Sequence, residues 1–90
     1  MPVQFRRHPD LRLSELQGEG VVLHLGARRY FTVNETGLSL LGALQEPRSF
    51  EDLVSSLERE YEVSPADAAT TTRAFLDRCL EANLLIEENG

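Results

Sequence analysis

The 90-residue sequence contains no lysine, no tryptophan and a single cysteine. The lone Cys79 excludes an internal disulfide and is compatible with a reducing compartment. All nine basic residues are arginines, and they stand against fifteen acidic residues, which makes the net charge −6 at pH 7. Proteins that bind nucleic acid draw their affinity from clustered basic residues. This charge balance therefore argues against a nucleic-acid partner.

Long apolar runs are missing as well. No stretch approaches the roughly 20 apolar residues that a transmembrane helix needs. The segment from Met1 to Arg7 also lacks the apolar run of a signal peptide. We therefore expect a cytoplasmic protein with no membrane partner.

Catalytic and metal-binding patterns are absent from the sequence. Gly18 and Gly20 stand in a turn between predicted strands and no helix follows them, so they do not form a phosphate-binding loop. His8 and His24 have no Cys or His neighbour at ligand spacing, and His24 is predicted to be a half-exposed strand residue. Cys79 is predicted to be a small core residue rather than a nucleophile. We expect a protein that is not an enzyme, with no catalytic residue, metal or cofactor.

The stretch from Tyr30 to Gly37 is the most informative part of what the sequence does contain. The aromatic and β-branched residues of its first half, Tyr30 to Val33, predict a strand. Asn34 is a strong N-cap residue, and Glu35 places a negative charge in the first helical turn. The second half therefore predicts the start of a helix. We expect sheet before this stretch and helix after it.

Alternating residues predict a three-stranded antiparallel sheet. Residues 1–10 are expected to be a flexible lead-in, and the first strand begins at Leu11. In the second strand the predicted core-facing residues are Val21, Leu23 and Leu25, and the predicted outer residues are Val22 and His24. The third strand runs from Arg29 to Val33, with Phe31 and Val33 on one face and Tyr30 and Thr32 on the other. Residues 11–86 are expected to form one domain, and residues 87–90 a frayed tail.

Three helices are predicted after the sheet, which makes the fold class α+β. The first runs from Glu35 to Leu44. The second is capped by Ser49 and carries apolar residues at helical spacing, namely Phe50, Leu53, Val54, Leu57 and Tyr61. The third begins after Ser64 and runs to about Ala82, where Asn83 is expected to take a positive φ.

The third helix is predicted to present two different faces. Its core side carries Ala68, Thr72, Leu76 and Cys79. The adjacent flank carries Thr71, Phe75 and Arg78, with Asp67 and Ala74 further round. Because this flank combines an aromatic ring with a charge, it is typical of the wall of a groove.

Three blocks of the sequence carry a family resemblance. They are Arg29 to Gly37, then Phe50 to Val54 with Leu57 and Tyr61, then Ala74 to Leu76 with Cys79, Leu80 and Asn83 to Leu85. Together they resemble the PqqD-like family, which comprises the RiPP recognition elements of ribosomally synthesised and modified peptides. The resemblance covers residues 11–86 and is nearest to the stand-alone lasso-peptide type.

The resemblance implies a winged-helix-like fold that binds the leader segment of a precursor peptide without catalysis. The leader would add as an antiparallel strand to the third strand, in the groove beside the third helix. A separate leader peptidase and a macrolactam-forming cyclase would be the partners. The implied peptide-binding residues are Arg28, Arg29, Tyr30, Phe31, Thr32, Val33, Asp67, Thr71, Ala74, Phe75 and Arg78.

Two other functions use the same order of elements. One is a DNA-binding winged helix, although the third helix sets Asp67, Asp77 and Glu81 against Arg73 and Arg78. The other is a protein–protein adaptor that pairs the same strand edge with another chain.

Overall fold

Two three-stranded antiparallel sheets and three helices form the fold of residues 3–89, which the computed structural model describes. Side chains are described for residues 3–88. The elements are β1 (Val3–Arg7), β2 (Leu11–Leu16), β3 (Glu19–His24), β4 (Arg29–Val33), α1 (Glu35–Ala43), β5 (Arg48–Ser49), α2 (Phe50–Tyr61), α3 (Pro65–Glu81) and β6 (Leu85–Asn89). The predicted α+β class and the three helices are confirmed. The third strand of the sequence prediction is β4.

The predicted meander is the sheet β2-β3-β4. A two-residue turn joins its first two strands, and both turn residues, Gln17 and Gly18, have positive φ (54° and 84°). Turns of this kind match the right-handed twist of a hairpin. The connection from β3 to β4 ends at Arg28, which also has a positive φ of 56°.

The prediction of which β3 residues face the core is wrong. Val22 and His24 are buried (0% and 3% exposed), whereas Leu23 and Leu25 are exposed. The register explains the reversal, because Val22 pairs with Leu13 and His24 pairs with Leu11, and these partners face the core. Since β3 carries apolar residues on both faces, its alternation alone did not distinguish inside from outside.

The second sheet, in the order β5-β1-β6, was not predicted. Residues 3–7 are a strand rather than a flexible lead-in, and β6 extends to Asn89, so residues 87–89 are not a frayed tail. Met1, Pro2 and Gly90 lie outside the described residues. The paired strands are about 80 residues apart in sequence, since Arg7 is opposite Leu85 and Gln4 is opposite Glu88. Local pattern carries no information about such a distant pairing.

The helix starts follow the predicted capping chemistry. Asn34 accepts the Gly37 N–H at 2.8 Å. Ser49 and Asp52 form a complete capping box, with both bonds at 3.1 Å. Ser64 accepts the Asp67 N–H at 3.2 Å, and Asn83 has the expected positive φ of 62°.

One apolar core lies between the helices and the inner faces of both sheets. The predicted core side of α3 is confirmed, since Ala68, Thr72, Leu76 and Cys79 are all buried. Leu84 and Leu85 are also buried, as expected for an apolar segment that folds back. None of the helices within residues 3–89 has the length and apolar character needed to cross a membrane.

Candidate functional site

Strand β4 lies at one edge of its sheet, with β3 on one side. In residues 3–89 no strand pairs with its other side. An edge strand of this kind presents backbone N–H and C=O groups that a further strand can use. Which residues present them follows from the hydrogen bonding of the neighbouring strands.

The direction of each backbone group in β3 can be traced from one hydrogen bond. Leu25, which follows β3, donates its N–H to the carbonyl oxygen of Asp10 at 3.1 Å, towards β2. In an antiparallel ladder both backbone groups of a residue point the same way, and this direction alternates along the strand. Leu23 therefore bonds towards β2, whereas Val22 and His24 bond towards β4.

The same alternation continues into β4. Val22 is opposite Phe31, and His24 is opposite Arg29. Phe31 and Arg29 therefore direct their backbone groups back to β3, and Tyr30 and Thr32 direct theirs away from the sheet. The open edge consists of the N–H and C=O groups of these two residues.

A groove runs between this edge and α3. It contains a cavity of about 260 Å³ lined by Phe31, Thr32, Val33, Phe75, Arg78, Cys79, Ala82 and Leu84. A second cavity, of about 500 Å³, lies between the start of α1 and α3 and shares Phe75 and Arg78 with the first. We refer to the two cavities together as the α3 groove. The open backbone edge and the apolar groove are therefore next to each other.

Phe75 forms the floor of the α3 groove. Its side chain is only 5% exposed, and it belongs to the apolar core. Gly37 allows α1 to pack close to this ring, because a Cβ at that position would lie 3.1 Å from Phe75 Cε1 and 3.2 Å from Val33 Cβ. The floor of the groove is therefore part of the packed apolar core.

The mouth of the α3 groove carries a positive charge. Arg78 is exposed, and within the described residues it forms no ion pair. Cys79 is buried beside it, and this burial raises the pKa of the thiol to about 11, although the nearby Arg78 lowers it slightly. The thiol is therefore protonated at neutral pH and contributes apolar surface to the groove.

The predicted site residues are only partly brought together. Phe31, Thr32, Val33, Thr71, Ala74, Phe75 and Arg78 line the α3 groove. Arg28, Arg29, Tyr30 and Asp67 do not line either cavity. Sequence reasoning missed Asn34, Thr36, Gly37, Leu40, Thr70, Cys79, Ala82 and Leu84. Asn34 directly follows the predicted peptide-binding strand and begins α1. This proximity in sequence was the signal that could have added the residues at the start of α1 to the site.

A second polar cluster lies at the end of the sheet. Nitrogens of His8 and His24 and an oxygen of Asp10 are within 4.8 Å of one another, an arrangement that ligand spacing in the sequence did not reveal. His24 is buried rather than half-exposed. However, His8 Nδ1 accepts the Asp10 N–H at 3.0 Å, and His24 Nδ1 accepts the Ala27 N–H at 3.1 Å. A neutral ring whose Nδ1 accepts a hydrogen bond carries its proton on Nε2, so neither nitrogen has a free lone pair. A metal-bound histidine instead uses one nitrogen as the ligand and donates the N–H of the other. These bonds favour a structural role in holding the β1–β2 and β3–β4 connections.

Fold and site together define a small α+β domain with an open strand edge beside an apolar groove, an arrangement suited to β-strand addition. The sequence profile of the family described as "Coenzyme PQQ synthesis protein D (PqqD)" matches residues 19–85. This match covers more than half of the chain, which belongs to the PqqD family. No curated protein gives a significant match.

Two solved structures share the fold. The first, "TbiB1 in Complex with the TbiA(beta) Leader Peptide", is 25% identical in sequence, with a TM-score of 0.77 over 89% of this chain and 93% of that one. The second, "Lasso peptide synthetase B1 complexed with the leader peptide", is 24% identical, with a TM-score of 0.75 over 91% of this chain and 96% of that one. The family and the winged-helix-like fold expected from the sequence are confirmed.

Proposed function

We propose that this protein is a RiPP recognition element that binds the leader segment of a ribosomal precursor peptide, in lasso-peptide biosynthesis. The observation that carries the proposal is the open edge at Tyr30 and Thr32 beside an apolar groove. Strand addition draws affinity from such backbone groups and specificity from neighbouring pockets. Membership of the PqqD family and likeness to two leader-peptide complexes support the same function.

The leader pairs antiparallel with β4, so its N-terminal part lies near Val33 and its C-terminal part near Arg29. Leader residues opposite Tyr30 and Thr32 exchange backbone hydrogen bonds with them. The leader residue opposite Phe31 has its side chain on the inner face of the sheet and enters the α3 groove. An apolar side chain fits there, because Phe31, Val33, Phe75 and Leu84 provide the lining.

Charged residues around the edge select the leader further. Arg78 at the mouth of the groove pairs with a leader carboxylate, as do Arg28 and Arg29 at the start of β4. Thr71 and Ala74 line the wall of the second cavity, and Asp67, one turn before Thr71 on the exposed side of α3, pairs with a leader cation. Arginine suits the pairing with leader carboxylates, because its planar guanidinium group can donate two hydrogen bonds to one carboxylate.

The protein performs no chemistry on the peptide in this proposal. It presents the bound leader to a separate leader peptidase and to a macrolactam-forming cyclase. It works in the cytoplasm without a metal or cofactor. Cys79 is the single cysteine of the sequence and is buried, which is compatible with that compartment.

Calorimetric titration tests the proposal. The titrant is the synthetic leader segment of the precursor peptide encoded beside this protein, and the control is the same segment with its sequence scrambled. We expect a dissociation constant in the micromolar range or below for the leader and no measurable heat for the control. Absence of binding to a verified cognate leader would overturn the proposal.

A further inference from the structure

His8 and His24 pack against each other close to the proposed leader site. Their ring centroids are 4.5 Å apart, and an oxygen of Asp10 lies within 4.8 Å of a nitrogen of each ring. His24 is directly opposite Arg29, the first residue of β4. The His8 N–H donates to the carbonyl oxygen of Leu84 at 2.9 Å, and Leu84 lines the α3 groove. The two rings therefore lie between the peptide edge and the groove.

The hydrogen bonds that the two rings accept require both rings to be neutral. Nδ1 of His8 accepts the Asp10 N–H at 3.0 Å, and Nδ1 of His24 accepts the Ala27 N–H at 3.1 Å. A protonated imidazole carries a hydrogen on both nitrogens and accepts no hydrogen bond. Protonation of His24 therefore breaks its bond to Ala27 and leaves two N–H groups facing each other.

His24 has little room to accommodate a second N–H. Its side chain is 3% exposed, and its Nε2 has no hydrogen-bond partner among the described residues. A buried donor without an acceptor is costly, so the protonated ring needs a new partner. A Cβ on Gly26 would lie 2.5 Å from Asp10 Oδ2 and 3.4 Å from His24 Cε1, so the carboxylate and the ring border the same glycine. The protonated ring can pair with this carboxylate only by leaving the amide of Ala27.

Titratable and charged groups from three segments face His24. The connection between β1 and β2 contributes Asp10, whose carboxylate can pair with a protonated ring, and His8, which repels it when protonated itself. Arg12 of β2 donates to a carbonyl oxygen of the same connection. Arg29 of β4 is the cross-strand neighbour of His24. Since both arginines repel a positive ring, Asp10 is the group that stabilises the protonated form.

Release of Ala27 affects the strand that the leader pairs with. The connection from β3 to β4 ends at Arg28, which has a positive φ of 56°. A residue other than glycine keeps this backbone conformation only where neighbouring contacts hold it. The bond from the Ala27 N–H to His24 fixes the residue directly before it. β4 begins at the next residue, and Tyr30 opens its free edge, so a loosened connection makes the peptide edge less ordered.

From these contacts we infer that protonation of His24 weakens binding of the leader. The inference rests on the proposed function, because it concerns regulation of the same peptide site. Protons and leader then favour two different states of the protein, although they bind at different places. Each reduces the affinity of the protein for the other by the same factor.

His24→Asn tests the inference. The asparagine Oδ1 can accept the Ala27 N–H in place of Nδ1, and the amide carries no charge. His8→Asn is the matched control, since an asparagine side chain commonly accepts the backbone amide two residues further on. Leader affinity is measured by fluorescence anisotropy at about pH 7.5 and 5.5, within the range where histidine side chains ordinarily change charge. All three proteins meet the same leader, so protonation of the peptide itself affects them equally.

We expect the wild type and His8→Asn to bind the leader roughly 5- to 10-fold more weakly at the lower pH, a usual strength of coupling between two sites. The affinity of His24→Asn should change by less than about twofold. Equal pH dependence in the wild type and in His24→Asn would overturn the inference. Loss of the pH dependence in His8→Asn alone would assign the effect to the other ring and would also overturn it.

Nuclear magnetic resonance gives a readout that needs neither the leader nor a variant. In the wild-type protein, the amide resonance of Ala27 and the ring resonances of His24 should shift together as the pH falls. Separate transitions would overturn the inference, including where His24→Asn does not fold. If the wild type binds no leader but these resonances move together, the proposed function fails while the proton-dependent link between His24 and the β3–β4 connection is supported.

Discussion

The direction of the backbone groups in β4 makes proline substitution a sharp test of strand addition. Thr32 directs its N–H away from the sheet, so Thr32→Pro removes a donor to the peptide and leaves the β3–β4 bonds in place. Proline is tolerated on an edge strand where its nitrogen faces solvent. The residue before proline prefers extended backbone, which Phe31 already has in β4.

The expected loss of affinity can be worked out from one bond. A net backbone hydrogen bond contributes about 0.5–1.5 kcal/mol, and a carbonyl of the peptide left without a partner costs about 1–3 kcal/mol. Because the second figure already includes the lost bond, we expect a loss of about 1–3 kcal/mol, which corresponds to roughly a 5- to 140-fold rise in the dissociation constant. Thr32→Val keeps the N–H and the strand preference, so we expect it to bind nearly as well as the wild type.

Calorimetry with the leader, together with urea unfolding of each variant, provides the measurement. We expect Thr32→Pro to unfold near the wild-type urea midpoint. Phe31→Pro should lower that midpoint strongly, because the N–H of Phe31 bonds to β3. If Thr32→Pro folds normally and binds the leader with wild-type affinity, the peptide does not pair with this edge.

Three further predictions concern α3. Thr72 is fully buried, and its hydroxyl has no hydrogen-bond partner among the described groups. Thr72→Val should therefore raise the free energy of unfolding by about 1 kcal/mol. An unchanged or lower free energy in urea unfolding would contradict this reasoning. Burial raises the pKa of the Cys79 thiol from 9.0 to about 11, so the unfolded chain releases this proton at a lower pH than the folded protein does. The difference of two pKa units, at about 1.36 kcal/mol per unit, predicts that the free energy of unfolding falls by about 2–3 kcal/mol between pH 9 and 11. Cys79→Ala should lack this loss of stability. If the free energy of unfolding falls with pH equally in the variant and the wild type, the prediction is refuted. Arg78→Gln should weaken leader binding by less than tenfold at low salt, since exposed ion pairs contribute about 0.2–1 kcal/mol, and an equal effect of the control Arg59→Gln would exclude a specific pair.

The parts of the fold that local chemistry determines could be predicted from the sequence. Asn34, Ser49 and Ser64 are N-cap residues in the structure because their side chains satisfy amide groups within the next three residues. The core face of α3 follows from its helical period. The strand from Arg29 to Val33 follows from four consecutive aromatic and β-branched residues, Tyr30 to Val33.

The parts of the fold that depend on pairing between distant segments of the chain could not be predicted from the sequence. Strand β1 exists because β6 and β5 pair with it, and its own sequence contains one buried residue, Phe5. The inner face of β3 depends on its register with β2. The α3 groove includes Leu84, from beyond the helix, and residues at the start of α1, which only the packed structure brings beside Phe75.

The alternation of side chains along β4 means that a bound peptide has two differently used faces. In the proposed complex, side chains at every second position enter the α3 groove and contribute to affinity, while those between them lie on the outer face of the sheet. The proposed pairing therefore predicts that precursor sequences can diverge at the outward positions with little change in their binding to this domain. Redesigned precursors could exploit this freedom, provided that the cleft-facing positions are kept.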